Sequence, residues 1–189
     1  MSESTDMINC NNWKNKIKYI LFDEVTIDAK LDELAKQLDS DYANKNVLCV
    51  GLLSGCIMFT THLLKKVNFK HKLDFISVSS YGHETVSSGS VKIKKDLSID
   101  PTGYDVLILE DLIDTGITLE WIKKYLANKN CNSIKICCLL DKKERRIVDV
   151  HIDYVGFECP NEFVIGYGMD YQDEFRCLPY IGVMDTSKI

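Results

Sequence analysis

Three acids and two threonines crowd into one short stretch, Val106 to Leu119, which reads VLILEDLIDTGITL. The acids are Glu110, Asp111 and Asp114, and the threonines are Thr115 and Thr118. A loop Asp114-Thr115-Gly116-Ile117-Thr118 that opens a helix leaves the first helical N–H groups unpaired and aimed at one spot, with the positive end of the helix behind them. Such a turn suits a phosphate. Gly116 lets the backbone curl, and the two threonines add hydroxyl donors. Glu110 and Asp111 cannot hold a phosphate themselves, but they suit sugar hydroxyls or a magnesium ion one step along the same ligand. Acids followed by a phosphate cradle imply a phosphorylated sugar. No Gly-Lys-Ser/Thr is present, so the turn is not a Walker loop, and the three-glycine dinucleotide spacing is missing. The plain alternative is an acidic turn after a strand.

The elements that must position this stretch repeat one pattern. Val106 to Leu109 read as a buried strand that stops at the acid pair, and Leu119, Ile122 and Leu126 recur at helical spacing beyond the loop. Val47 to Val50 are a second buried strand, Gly51 to Gly55 a tight loop, and Ile57, Phe59, Leu63, Leu64 and Val67 the apolar positions of the following helix. Ile134 to Leu140 form a third strand, with Asp141-Lys142-Lys143-Glu144-Arg145-Arg146 at its carboxyl end, where open α/β sheets keep their ligands. Lys143, Arg145 and Arg146 read as solvated surface. Upstream, Ile27, Leu31, Leu34, Leu38 and Tyr42 make the stripe of a core helix with Thr26 as N-cap, closed by a turn at Asn44 to Asn46. Leu73 to Ser80 is a strand and Val91 to Asp96 its antiparallel return. Between them the polar segment Tyr81 to Ser90 reads either as a mobile lid or as a plain hairpin tip. Asp100 to Tyr104 is turn chemistry that delivers the chain to the central strand. From Asp153 the pattern breaks into short apolar pieces, a small cap that Tyr19 to Phe22 could join.

The fold class is therefore α/β, with a Rossmann-like core whose mainly parallel central sheet is flanked by helices. One domain spans 1–189, with a core at about 26–150, a hood at about 19–25 and 151–189, and a lid loop at about 80–91. A net charge of −5 and a pI near 5.4 argue against a nucleic-acid surface. No stretch approaches the length of a membrane span, and the first residues lack a signal-peptide pattern. Eight cysteines without a C-x-x-C pair read as reduced thiols, with Cys49, Cys137 and Cys138 in apolar runs. A cytoplasmic protein is expected. The final Ser187-Lys188-Ile189 resembles a peroxisomal address, against which stands a plain polar tail.

The stretch Val106 to Leu119 resembles the phosphoribosyl pyrophosphate (PRPP) binding motif of the type I phosphoribosyltransferases. Gly51-Leu52-Leu53-Ser54-Gly55, Ser79-Ser80-Tyr81-Gly82, Leu139-Leu140-Asp141-Lys142 and the tail Asp153 to Met184 are similar to the 6-oxopurine branch, the hypoxanthine-guanine phosphoribosyltransferases. The matches keep the family's order from Tyr19 onward. The resemblance implies purine salvage: transfer of the phosphoribosyl group of PRPP to guanine or hypoxanthine, giving GMP or IMP and pyrophosphate, with Mg2+. It implies a homodimer or homotetramer, and neither nucleic acid nor membrane as a partner.

It also assigns roles. Glu110, Asp111, Asp114, Thr115, Gly116, Ile117 and Thr118 would bind the ribose and 5′-phosphate of PRPP, with Asp114 as general base or acid at purine N7. Leu53, Ser54, Gly55, Ser80, Tyr81 and Arg176 would hold pyrophosphate, with a cis peptide between Leu53 and Ser54. Many members carry Lys at the position of Ser54, so a side-chain charge is lost there. Lys142 would donate to the purine 6-oxygen, Phe163 stack on the ring, Val164 meet the base edge, and Asp170 lie beside the purine. Glu110, Asp111 and Asp170 would serve the metal. Read alone, Phe163 is a core aromatic and Arg176 a surface cation. Glu162 departs from the family, where a basic residue is common; a carboxylate there favours guanine and disfavours the partly anionic xanthine. Adenine and orotate enzymes fit Lys142 and the tail poorly. A PRPP-binding regulator on the same fold is the alternative of a different class.

Overall fold

The computed structural model describes residues 14–80 and 91–188. Its centre is a six-stranded sheet in the order β4-β3-β2-β5-β6-β7, formed by β2 (Val47–Leu52), β3 (His71–Ser80), β4 (Val91–Lys95), β5 (Asp105–Ile113), β6 (Ser133–Asp141) and β7 (Tyr154–Glu158). All neighbours run parallel except β3 and β4. Alternation along the strands builds two cores. Val47, Cys49, Leu107 and Leu109 pack with Leu31, Leu34 and Leu38 of α1 (Glu24–Tyr42) and with Phe59 and Leu63 of α2 (Ile57–Leu64). Leu48, Val50, Val106 and Ile108 pack on the other face with Leu119, Ile122 and Leu126 of α3 (Ile117–Ala127). A separate three-stranded antiparallel sheet joins β1 (Ile17–Phe22) to β9 (Ile181–Met184) and β8 (Val164–Ile165), the association expected of Tyr19 to Phe22.

Three boundaries differ from the sequence reading. Helix α1 starts before Thr26, because Asp23 is the cap: its Oδ1 accepts the Thr26 N–H at 2.8 Å and its charge complements the helix terminus. Helix α2 ends at Leu64, so Val67 lies beyond it, and Ile57 is exposed. Most consequentially, the central strand does not stop at the acids. Its pairing with β2 ends at Gly51 and Leu109, whereas pairing with β6 continues to Ile113 and Asp141. The sheet thus splits at Glu110, and the acids stand at the mouth of a crevice between diverging strands, the place where parallel sheets hold ligands.

Candidate active site

That crevice opens into a cavity of about 440 Å³. The segments after the carboxyl ends of adjacent strands β2, β5 and β6 supply part of its wall: Leu53, Ser54 and Gly55 after β2, Asp114 and the first-turn Thr118 of α3 after β5, and Lys142 and Arg145 after β6. Glu110 and Asp111 form its floor, and Phe163, Val164, Asp170 and Arg176 come from the C-terminal segment. Of the residues expected at the phosphate turn, Thr115, Gly116 and Ile117 do not line the cavity itself. Ser80 ends β3, Tyr81 and the rest of the lid loop lie outside the described residues, and Ile189 does too.

The Leu53–Ser54 peptide is cis. Beside it, Gly55 lies so close to Asp111 that an added Cβ would sit 2.1 Å from Oδ2, so no side chain fits. The two acids have few compensating partners. Glu110 Oε2 is buried without a hydrogen-bond partner, and burial, helped by the charge of Asp111, holds its carboxyl well above the usual range. Burial pushes the Asp111 carboxyl up to about 6, opposed by its own and Leu112's backbone N–H groups and by Arg176. Among the described residues no three His, Cys, Asp or Glu side chains converge to cage a metal. Glu110, Asp111 and Asp170 therefore do not form a closed ligand set. An orphaned buried carboxylate oxygen and its neighbour fit an ion of the magnesium type, which takes one or two carboxylates and completes its shell with substrate oxygens and water.

The base end is built around Lys142. It is 5% exposed, and its Nζ donates to the Glu162 carbonyl at 2.8 Å, leaving two further N–H groups. Phe163 is not core: it is 43% exposed, its ring edge-on to Tyr171 at 5.9 Å, because it stands on the cavity wall next to β8. Val164 is buried on β8. Arg176 is tied inward, pairing with Asp170 at 2.8 Å and donating to the Gly168 carbonyl at 2.9 Å, so the surface reading does not hold. The Glu162 carboxylate lies outside the cavity lining, 3.9 Å from Lys18.

Sequence reasoning passed over two residues. Arg145 is exposed, as read, but it also lines the cavity, with its Nε 3.1 Å from Asp114 Oδ1. Arg146 is largely buried, paired with the buried Asp141, and donates through Nε to the Asp114 carbonyl at 3.1 Å. A signal existed: Asp141 ends a run of buried strand residues, and a carboxylate there needs a cation within reach.

Comparison with known proteins identifies the family. The phosphoribosyl transferase domain family matches residues 21–172, which makes the chain a phosphoribosyltransferase by class. It is 45% identical over 171 residues to the hypoxanthine-guanine phosphoribosyltransferase of Streptococcus agalactiae, covering 90% of this chain and 95% of that one. The Bacillus subtilis protein of the same name gives the same figures. A crystal structure of a hypoxanthine phosphoribosyltransferase from Staphylococcus aureus superposes with a TM-score of 0.90 at 43% identity, covering 93% and 96% of the two chains. The chain also matches the bifunctional TilS/HprT protein of Listeria monocytogenes, 46% identical over 170 residues, and spans 26% of that protein's length. The chain belongs to the hypoxanthine-guanine phosphoribosyltransferase family.

Proposed function

We propose that the chain joins guanine or hypoxanthine to the ribose C1′ of PRPP, giving GMP or IMP and pyrophosphate. The observation that carries this reading is the meeting, in one cavity, of a phosphate turn at Asp114 and Thr118, two acids at Glu110 and Asp111, and a base side made of Lys142, Phe163 and Val164. The turn seats the 5′-phosphate and the acids face the ribose hydroxyls. Positive charge grows on the sugar as pyrophosphate leaves, and carboxylates beside it stabilise that charge. Asp114 takes the proton from purine N7 in the forward direction and returns it in reverse. To do so it must part from Arg145, which faces its Oδ1. Lys142 donates to the 6-oxygen, a contact adenine cannot accept. Leu53, Ser54, Gly55, Ser80, Tyr81 and Arg176 hold the pyrophosphate.

Mg2+ would be held by Glu110 and Asp111, with Asp170 acting partly through water, and would neutralise the leaving pyrophosphate. Guanine first and xanthine last is the proposed order of bases. Its support is Glu162, which must leave Lys18 to act on a bound base. The domain is read as one unit, with a core at about 26–150 and a hood from 19–25 and 151–189, working in the cytoplasm as a dimer or tetramer. No described helix is long and apolar enough to cross a membrane. Nothing supports a targeting role for the last three residues, and the Ser187 side chain folds back on Asp185 at 2.6 Å.

The test is product formation from guanine, hypoxanthine, xanthine and adenine with Mg-PRPP, beside an Asp114→Asn control. Turnover of adenine in preference to the 6-oxopurines, or of none of the four, would overturn the proposal.

A further inference from the structure

We propose that Arg146 is a positioning residue for the 5′-phosphate, acting by aiming one amide of the Asp114–Thr118 turn. The peptide unit is planar, so the N–H of one residue points opposite to the C=O of the residue before it. A carbonyl held on the outer side of a turn therefore fixes where the next amide points on the inner side. Around this turn the carbonyls are gripped in sequence. The Ile113 carbonyl accepts from Lys142 N at 3.0 Å, the Thr115 carbonyl from Ile147 N and Val148 N at 2.9 and 3.0 Å, and the Gly116 carbonyl from Glu120 N at 3.0 Å. All of these grips are main chain. The Asp114 carbonyl, which sets the direction of the Thr115 N–H, is instead held by a side chain, Arg146 Nε at 3.1 Å.

Arg146 is itself fixed. Its other end pairs with Asp141, which is 3% exposed at the end of β6. Its Cδ lies against Gly116, where an added Cβ would meet Val148 O at 2.6 Å and Arg146 Cδ at 3.0 Å, so segment 146–148 is packed directly onto the turn. The guanidinium thus ties the end of β6 to the loop after β5 without entering the cavity. Freeing it would release the Thr115 amide and leave the other grips in place.

This rests on the reading of residues 114–118 as the 5′-phosphate seat. The test compares Kd values for GMP, guanosine and Mg-pyrophosphate by calorimetry in wild type, Arg146→Ala, Arg146→Lys and the double variant Asp141→Asn/Arg146→Met. An amide bond to an anion corresponds to roughly tenfold to hundredfold in affinity, and Arg146→Ala should weaken GMP by that factor. Guanosine and pyrophosphate should stay within about twofold. In steady state the KM for PRPP rises while the KM for guanine holds. Lysine, able to satisfy one partner at a time, should recover part of the loss. The double variant leaves no unpaired buried carboxylate, so its melting temperature should return while GMP binding does not. Unchanged GMP affinity in the single or the double variant would overturn the proposal. So would equal losses for GMP and guanosine, which would mark a general collapse of the site. If wild type itself binds GMP no better than guanosine, the phosphate seat is misassigned and the functional reading falls with it.

Discussion

Replacing Asp111 by Asn should stabilise the substrate-free protein while removing its ability to use Mg-PRPP. Burial raises the Asp111 carboxyl from 3.8 to about 6, and the neighbouring Glu110 carboxyl is raised as well. A raised acid binds its proton more tightly in the native than in the unfolded state, so stability falls as pH rises from about 4 to about 6 and the full penalty is present above that. A shift of about 2 units at about 1.4 kcal/mol each gives a penalty near 3 kcal/mol at pH 7.5. Asn keeps an oxygen for the backbone N–H of Leu112 but carries no charge. For a chain of this size the gain corresponds to roughly 6–12 °C in Tm. Thermal melts of both proteins from pH 4 to 8, with and without Mg-PRPP, read this directly. The variant should melt higher at pH 7.5, the difference should vanish near pH 4, and saturating Mg-PRPP should raise only the wild type. A variant with no gain at pH 7.5, or a gain independent of pH, would show that the carboxylate is well solvated in the native protein and that the crevice is not the strained acidic floor described above.

The Asp114→Asn enzyme should lose about two to four orders of magnitude in kcat with little change in PRPP affinity, measured by initial rates and calorimetry; unaltered turnover removes the base assignment. Lys142→Gln should lower kcat/KM for guanine by about a hundredfold without moving the KM for PRPP, since the lost donor serves the base alone. Glu162→Lys should raise kcat/KM for xanthine relative to guanine by about tenfold, and an unmoved ratio would remove the argument from Glu162. Away from the site, Asp74 is buried. Burial opposes its charge, but N–H groups of Ile99, Phe75 and Ser98 and the Lys95 ammonium outweigh it and hold the carboxyl below its usual range. Its contribution is present above about pH 4 and lost as pH falls through the lowered native value, so Asp74→Asn should cost about 1–3 kcal/mol in urea unfolding at pH 7 and progressively less as pH falls below about 4.

What was legible in the chain followed from short-range pattern. The stripe Ile27, Leu31, Leu34, Leu38 and Tyr42 is buried in full, and the three strand-loop-helix or strand-loop units sit where apolar runs met glycine or acid. The sequence reading misses the start of α1 through a local cap, Asp23, whereas it misses the end of the central strand because a tertiary partner decides it. Glu110 and Asp111 are strand residues because β6 continues to offer ladder partners after β2 has left, and nothing local to the acids announces that. Phe163 shows the other side: read alone it is a core aromatic, the family resemblance moves it to the base side, and it stands 43% exposed on the cavity wall. Arg145 and Arg146 share a sequence context that reads as surface, and they differ only in what the fold brings to them, Asp114 for one and Asp141 for the other.

The substrate-free charge pattern also bears on how the proposed ligands would bind. The three basic side chains of the cavity lining are engaged within the protein: Lys142 with the Glu162 carbonyl, Arg145 against Asp114, and Arg176 with Asp170. The acids Glu110 and Asp111 meanwhile line the cavity, with Glu110 Oε2 buried and unpartnered. A bare polyphosphate would meet committed cations and repelling carboxylates. A divalent cation riding on the polyphosphate changes the sign of the encounter, because the same acids then become attractive. On the proposed reading the purine would draw Asp114 away from Arg145 through its N7 proton. The expected order is then the sugar phosphate with its metal first and the base second. Initial-rate patterns should be sequential, with purine affinity rising in the presence of Mg-PRPP; purine affinity indifferent to Mg-PRPP would refute that coupling.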